Sequence, residues 1–394
     1  MKRYCKNVDI SDRTFIKASI EECLRDKYKR SDVVRMFSEY SGLQKDFIAA
    51  IAQTANRKMF DGIILTITES VRFEIINKKY CWKPIWYTCK LEGNKMRRIG
   101  IQDIKQQLYD YIAVNGLKEL FDKRIGYYQC AALPGKGQVF GMKAVKKNLR
   151  NSKIRYGWKG DGEKFYENIN RDILKNLLKK YVKNEPLLHL VFCLIDGFEK
   201  GLSIGSYLSQ YLANFYMSFL YRYITENLWK ERKKKNGEIK RIRMIDFALI
   251  YMDDIYIAGA NIKLLKMAVE RIKKFAKEKL DITIKLLDNW IDFGKSGYVD
   301  MMGFLISKGK AIVRPTIFRR FRRSIHKVKK VGKINKANAR RIISRYGWMK
   351  NADCKHFIKR NKVDYIRGKC KELIRNGENV IYIAAGKSKN CCVT

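Results

Sequence analysis

The chain has 394 residues, of which 46% are hydrophobic and 12% aromatic, and it contains only four prolines. This composition excludes a peptide or a disordered linker and predicts a globular protein of roughly two or three subdomains. Lysine and arginine number 84 against 39 acidic residues, a formal charge of +45. Solubility needs far less charge than this, no Lys-rich helix shows a clean apolar face adjoining a lipid-anchor motif, and no run of 18 apolar residues appears. We therefore expect a nucleic acid partner and no membrane.

The metal-ligating residue types argue against several other classes. The ten cysteines form no C-x-x-C pair, and the three histidines are not at ligand spacing. This pattern indicates neither a zinc site nor a disulfide framework, but reduced thiols. The first residues also lack the apolar core of a signal peptide, so a cytoplasmic location is expected.

The predicted elements begin with a helical N-terminal extension over residues 1–70, where apolar residues recur at helical spacing. From Arg72 the sequence becomes β-branched and aromatic, and "EGNK" predicts the turn of a hairpin. An amphipathic helix is predicted over "DIKQQLYDYIAVNGLKELF", followed by a Gly-rich loop at "PGKGQVFG". That loop lacks the spacing of a nucleotide-hydrolase phosphate loop, so we exclude that function for it.

The second half alternates short β-prone stretches with helices predicted at 171–195, 207–230 and 261–280. The alternation lacks the regular βαβ rhythm of a doubly wound sheet, which favours an α+β fold. After Pro315 the sequence is very basic and predicts almost purely helical structure.

Two adjacent acids, Asp253 and Asp254, interrupt the apolar run "LIYMDDIYIAG". Buried like charges are costly unless a cation neutralises them, and a hairpin tip at Tyr-Met-Asp-Asp would expose both at the end of a sheet. Asp161, in "KGDGEKFY", is a third acid after a β-prone stretch. Three such carboxylates predict a site for two Mg²⁺ ions roughly 3.5–4 Å apart, with Mn²⁺ able to substitute.

Five motifs in order resemble the reverse transcriptases: "KMRRIGIQDIKQQ", Asp161 followed by aromatics, "GLSIGSYLSQ", "YMDD" and "MMGF". The resemblance covers roughly residues 70–375 and implies a right-hand polymerase. Its antiparallel sheet and helices would form fingers (71–160, with part at 171–200) and palm (161–312). A helical basic thumb and tail (313–394) would follow, with "RYGWMK" near the thumb end.

The resemblance also implies roles for individual residues. Asp161, Asp253 and Asp254 would be the catalytic metal ligands, and Tyr166 would lie under the nucleotide sugar and exclude a 2′-hydroxyl. Arg97 and Lys105 would bind the triphosphate, and Lys285 would donate a proton to the leaving pyrophosphate. Met301–Phe304 would grip the primer.

The segment Ile204–Gln210 departs from the Gln-Gly form of group II intron and retron enzymes. Its I-G-x-x-x-S-Q pattern, with Ile204, Gly205 and Gln210, resembles the error-prone enzymes of diversity-generating retroelements. An apolar residue against the template base and nucleotide is a physical reason for looser base-pair checking. A second departure is Leu133 where relatives have arginine, which leaves Lys136 as the expected basic contact there.

The resemblance implies as substrates an RNA template, an RNA/DNA duplex and deoxynucleotides. It further implies a dedicated non-coding RNA and a small basic accessory protein. Three alternatives stay open: an antiviral-defence reverse transcriptase with its own non-coding RNA, a catalytically idle RNA-binding scaffold, and an RNA-dependent RNA polymerase. The three acids argue against the scaffold, and Tyr166 argues against the RNA polymerase.

Overall fold

The computed structural model describes residues 2–54, 57–92, 95–285 and 290–383. The chain forms two compact units. The first unit contains Met1–Leu133, Gly160–Trp229 and Met267–Leu287, and the second contains Pro134–Lys159, Lys230–Lys266 and Asp288–Thr394.

Helices account for much of the described chain. They are α1 (Arg13–Leu24), α2 (Ser31–Ser41), α3 (Lys45–Gln53), α4 (Asp61–Ile76), α5 (Ile104–Gly116), α6 (Lys118–Arg124), α7 (Gln138–Asn148), α8 (Phe165–Asn168), α9 (Arg171–Tyr181), α10 (Glu185–Asp196), α11 (Tyr207–Arg222), α12 (Ile262–Leu280), α13 (Pro315–Val331), α14 (Lys336–Lys350), α15 (Lys355–Arg360) and α16 (Val363–Arg375). In this part of the chain, no helix has both the length and the hydropathy needed to cross a membrane.

The strands are short. They are β1 (Trp86–Glu92), β2 (Lys95–Ile101), β3 (Gln129–Cys130), β4 (Tyr156–Asp161), β5 (Trp229–Lys233), β6 (Ile239–Arg243), β7 (Phe247–Tyr251), β8 (Asp254–Gly259), β9 (Trp290–Asp292), β10 (Val299–Met301), β11 (Phe304–Ser307), β12 (Lys310–Val313), β13 (Lys333–Asn335) and β14 (Val380–Tyr382). β1 with β2 and β7 with β8 pair as antiparallel hairpins. These hairpins, together with the many helices, confirm the predicted α+β class.

The N-terminal part of the first unit is helical, as predicted. Asp12 caps α1 by accepting a hydrogen bond from the Phe15 amide at 2.8 Å. Ile16, Ile20 and Leu24 are buried on α1, which packs on α4 and α5. Apolar residues at helical spacing therefore build this core.

The β1–β2 hairpin follows α4, and its register places Arg97 opposite Lys90 and Gly100 opposite Tyr87. The predicted hairpin is confirmed, while Gly93 and Asn94 of its turn lie outside the described residues.

Two predicted helices are shorter than expected. The helix predicted over 171–195 is interrupted between α9 and α10, because the Asn184 side chain caps α10 by accepting from the Leu187 amide at 3.0 Å. Pro186 follows in the first turn, where proline is tolerated. In the region predicted as a helix over 207–230, the α-helix ends at Arg222, and a π-helical turn follows at Tyr223–Asn227.

In the second unit, strands β7, β8, β4 and β9 lie side by side in that order. Residues 247–250 of β7 and 255–259 of β8 are buried, which explains the continuous apolar run within each of the two strands. The Arg155 amide donates to the Gly259 carbonyl at 3.3 Å, next to the start of β4.

The C-terminal part of the second unit contains α13 to α16. Phe321, Ile325 and Val328 are buried along α13, while its arginines and lysines lie mostly on the exposed face. The prediction of almost purely helical structure is wrong in one detail, because β13 pairs with β14 in a two-stranded ribbon. Those strands are only three residues each, too short to give a clear alternation in the sequence.

Candidate active site

The Tyr-Met-Asp-Asp motif forms the turn of the β7–β8 hairpin. Tyr251 is opposite Asp254 in the register, so Met252 and Asp253 are the two turn residues. Met252 has φ 57°, in the left-handed region that a non-glycine residue adopts at a cost of about 1–3 kcal/mol. Asp253 and Asp254 are half-buried. The turn therefore presents both carboxylates at the end of the sheet, as predicted.

Asp254 is the first residue of β8 and forms an ion pair within the second unit. Its Oδ1 lies 2.9 Å from the Lys159 Nζ, and about a quarter of each side chain is exposed. Lys159 belongs to β4, the strand next to β8. We did not predict this lysine as a site residue, because its position two residues before Asp161 does not distinguish it from the many other lysines of the chain.

Asp161 ends β4 and forms a second ion pair, within the first unit. Its Oδ2 lies 2.8 Å from the Lys285 Nζ, and the Lys285 amide donates to the Asp161 carbonyl at 2.9 Å. A bridge between Gly162 and Ile284 holds the same two stretches together. The structure therefore brings together two predicted site residues, Asp161 and Lys285, that are far apart in sequence.

Asp161, Asp253 and Asp254 are the carboxylates that could hold a metal ion. Within the described ranges, no group of three or more acidic, histidine or cysteine side chains is arranged to hold a metal ion. Two of the three carboxylates are each paired with an ammonium group, which shows that a positive charge is accommodated beside Asp161 and beside Asp254. Carboxylate oxygens are the ligands that Mg²⁺ prefers, so the donor chemistry fits this ion.

Tyr166 lies on the short helix α8, half-buried, beside the buried Phe165. Its carbonyl accepts a hydrogen bond from the Leu202 amide at 2.8 Å. A Cβ at Gly201, where φ is +52°, would lie 2.3 Å from that carbonyl oxygen. Glycine is therefore required at 201 for the backbone to approach α8, and this contact fixes the position of Tyr166.

The segment from Ser203 to Gln210 packs against the β1–β2 hairpin. The Gly100 amide donates to the Ile204 carbonyl at 2.9 Å. A Cβ at Gly205, where φ is +117°, would lie 2.5 Å from the Gly100 carbonyl oxygen. Ile204 and Gln210 are half-buried, and Gly205 is exposed. The two glycines thus allow close backbone contact between this segment and β2, the strand that carries Arg97.

Asp110 on α5 is a buried acid in contact with this segment, and we did not predict it. Its Oδ2 accepts from the Ser206 hydroxyl at 2.7 Å and from the Leu208 amide at 3.3 Å. Burial raises the pKa of Asp110 to about 6, although these hydrogen bonds act in the opposite direction. Its position within an amphipathic helix gave no signal of this role.

The two predicted triphosphate contacts have different surroundings. Arg97 is exposed on β2. Lys105 forms an ion pair with Glu74, in which both side chains are largely buried, and Glu74 also accepts from the Tyr109 hydroxyl at 2.8 Å. The carboxylate of Glu74 would therefore compete with a phosphate for Lys105.

The Met301–Phe304 turn contacts the "RYGW" segment within the second unit. Met302 and Gly303 have φ of 55° and 80°. A Cβ at Gly303 would lie 2.2 Å from the Trp348 ring, and the rings of Phe304 and Trp348 are 5.1 Å apart. The "MMGF" and "RYGW" motifs, which are far apart in the sequence, thus pack against each other.

Comparison with known proteins identifies the family. The model of the reverse transcriptase (RNA-dependent DNA polymerase) family matches residues 89–286, a range that includes each predicted site residue from Arg97 to Lys285. Among solved structures, apo telomerase from Candida tropicalis, truncated from its C-terminal domain, is similar at 13% identity and a TM-score of 0.37, over 59% of this chain and 53% of that chain. The chain thus spans about half of that telomerase chain, and no curated protein matches the sequence. Because the family model covers half of the chain, the protein belongs to the reverse transcriptase family.

Proposed function

We propose that the protein is an RNA-directed DNA polymerase that uses Mg²⁺. The observation that carries this proposal is the β7–β8 hairpin, whose turn presents Asp253 and Asp254 inside the range that matches the reverse transcriptase family. A carboxylate pair at a strained turn has no structural benefit of its own, because like charges repel. Binding of cations for phosphoryl transfer explains it.

Asp161, Asp253 and Asp254 would hold the metal ions, which supply Lewis acidity and charge neutralisation for nucleotidyl transfer. Lys159 and Lys285 neutralise two of these carboxylates in the structure. Divalent cations held by the same carboxylates would compete with both ammonium groups. Lys285 is proposed as the proton donor to the leaving pyrophosphate, the role that its family position implies.

Tyr166 is proposed to select the sugar, because an aromatic ring under the nucleotide excludes a 2′-hydroxyl by steric clash. The close contact of Gly201 with α8 supports this role, since it holds the tyrosine backbone in one place. Arg97 and Lys105 are proposed as the triphosphate contacts, and Lys105 would first have to separate from Glu74. Gly205 and Gln210 belong to the segment proposed to contact the template base and nucleotide.

A finer proposal is that synthesis is error-prone, as in diversity-generating retroelements, on a dedicated structured RNA and with a small basic accessory protein. It is supported by the apolar Ile204 in the segment that contacts β2. Ile204→Gln is expected to lower misincorporation opposite template adenine, because an amide can hydrogen-bond to a base pair where an isoleucine cannot. Sequencing of the DNA products measures this, with Ile204→Leu as the control that keeps an apolar side chain. Equal error spectra for the parent and Ile204→Gln would contradict the proposal.

The proposed function is tested by primer extension with the purified protein. A DNA primer annealed to an RNA template should be extended with deoxynucleotides and Mg²⁺, and addition of a chelator should stop the reaction. Ribonucleotides should be used much less efficiently. Failure to extend with deoxynucleotides, or equal use of both nucleotide types, would contradict the proposed function.

A further inference from the structure

Asp110 lies at the junction of three elements: α5, α11 and the 203–210 segment. We infer that Asp110 is a positioning residue that fixes the segment from Ser203 to Gln210 against β2, and that it thereby contributes to nucleotide selection. Its effect on nucleotide selection rests on the proposed function, whereas its effect on the segment does not.

The contact consists of two hydrogen bonds to one oxygen atom of Asp110. Asp110 is fully buried, and a single carboxylate oxygen accepts from both the Ser206 hydroxyl and the Leu208 amide. Hydrogen bonds to a charged acceptor are roughly twice as strong as neutral ones. Two residues of the segment, both at the start of α11, are therefore bound to the same point on α5.

The carboxylate is not needed merely to begin the helix. The Ser206 hydroxyl oxygen already caps α11 by accepting from the Ser209 amide at 3.1 Å. Burial of an acid is costly, and it raises the pKa of Asp110 to about 6. An unassisted serine cap would avoid that cost, so the carboxylate has a further effect, which is to fix the rotation of the hydroxyl and the orientation of the segment.

The contact extends from Asp110 to the β1–β2 hairpin, which carries the proposed triphosphate contact Arg97. Ser206 follows Gly205, whose backbone lies against Gly100, and the Gly100 amide donates to the Ile204 carbonyl. β2 ends at Ile101 and α5 begins at Ile104. The 203–210 segment is therefore held at two points: Gly100 binds it at Ile204, and Asp110 binds it at Ser206 and Leu208.

The experiment compares three variants. Asp110→Ala removes the acceptor, and Asp110→Asn keeps an oxygen of the same shape. Ser218→Ala is the matched control, because Ser218 is also buried on α11 but donates only to the Phe215 carbonyl within that helix. For each, the measurements are the melting temperature, hydrogen exchange at the Gly100 amide, and kcat and KM for correct and incorrect deoxynucleotides.

Asp110→Ala should speed exchange at Gly100 and change the ratio of correct to incorrect insertion by about tenfold, the effect of removing roughly one charged hydrogen bond. In Asp110→Asn, the exchange rate at Gly100 and the insertion ratio should both lie close to the parent values. Asp110 is only a structural residue if Asp110→Ala and Ser218→Ala lower the melting temperature by the same amount and give the same Gly100 exchange rate and the same insertion ratio. If the parent protein makes no DNA, the proposed function fails, while the exchange at Gly100 still decides whether Asp110 positions the segment.

Discussion

At the scale of single residues, the structure shows neighbouring cations that neutralise two of the three acids predicted as metal ligands. Asp161 is paired with Lys285 and Asp254 with Lys159, each within its own unit. Lys285 was identified from the family resemblance, but Lys159 was not, because one lysine among so many carries no signal in a chain of this charge. Only the pairing of strands brings its ammonium group to a carboxylate.

Tyr166→Ala should admit ribonucleotides, because removing the ring relieves the clash with a 2′-hydroxyl. Relief of even about 1.4 kcal/mol is a factor of ten in rate, so the preference for deoxynucleotides should fall by roughly tenfold or more. Single-nucleotide primer extension on an RNA template, with each nucleotide type alone, gives the ratio. An unchanged preference in Tyr166→Ala would make Tyr166 an ordinary aromatic of the α8 packing.

At the scale of elements, the sequence predicts the hairpins better than the helix ends. The β7–β8 hairpin could be predicted because its apolar strands flank a polar pair, and β1–β2 because a turn signal separates two β-prone runs. The break at Asn184 was missed because apolar residues continue on both sides of it. Asp110 could not be predicted as part of the site, since its partners Ser206 and Leu208 come close only through tertiary packing.

The contact between the Met301–Phe304 turn and Trp348 gives a prediction for the second unit. Gly303→Ala should lower the free energy of unfolding by several kcal/mol, because the added methyl group meets the Trp348 ring and φ is positive. Gly309→Ala is the matched control: φ is +76°, but no atom lies within 4 Å of the added Cβ. It should cost only about 1–2 kcal/mol of backbone strain.

Urea unfolding of the two variants measures this difference. If Gly303→Ala and Gly309→Ala cost the same, the contact between the turn and Trp348 does not stabilise the second unit.

At the scale of the whole molecule, the formal charge of +45 predicts binding to a nucleic acid. Ion pairs neutralise only some of the cations, and α13 carries a largely exposed basic face opposite its apolar residues. Burial, followed by the nearby positive charges of Arg320 and Arg341, lowers the pKa of Arg345 on α14. Cations held this close to one another favour a polyanion.

RNA affinity should therefore fall steeply with salt, with a log-log slope that indicates at least about six neutralised phosphates. Arg323→Gln combined with Lys327→Gln, two exposed positions on α13, should reduce the slope by roughly one for each phosphate that is no longer neutralised. Filter binding or fluorescence anisotropy over a range of salt concentrations measures the slope. A flat response would indicate a small shape-specific site in place of a phosphate track.

The central claim, that the carboxylates of the β7–β8 turn carry out RNA-directed DNA synthesis, is tested most directly by primer extension with Asp253→Asn. Asp246→Asn is the matched control, because Asp246 lies at the opposite end of the same hairpin, where its carboxylate accepts from the Ala260 amide at 2.9 Å. Asp253→Asn should abolish Mg²⁺-dependent synthesis on a primed RNA template and leave RNA binding nearly intact, whereas Asp246→Asn should retain activity. Synthesis by Asp253→Asn near the parent rate would contradict the account.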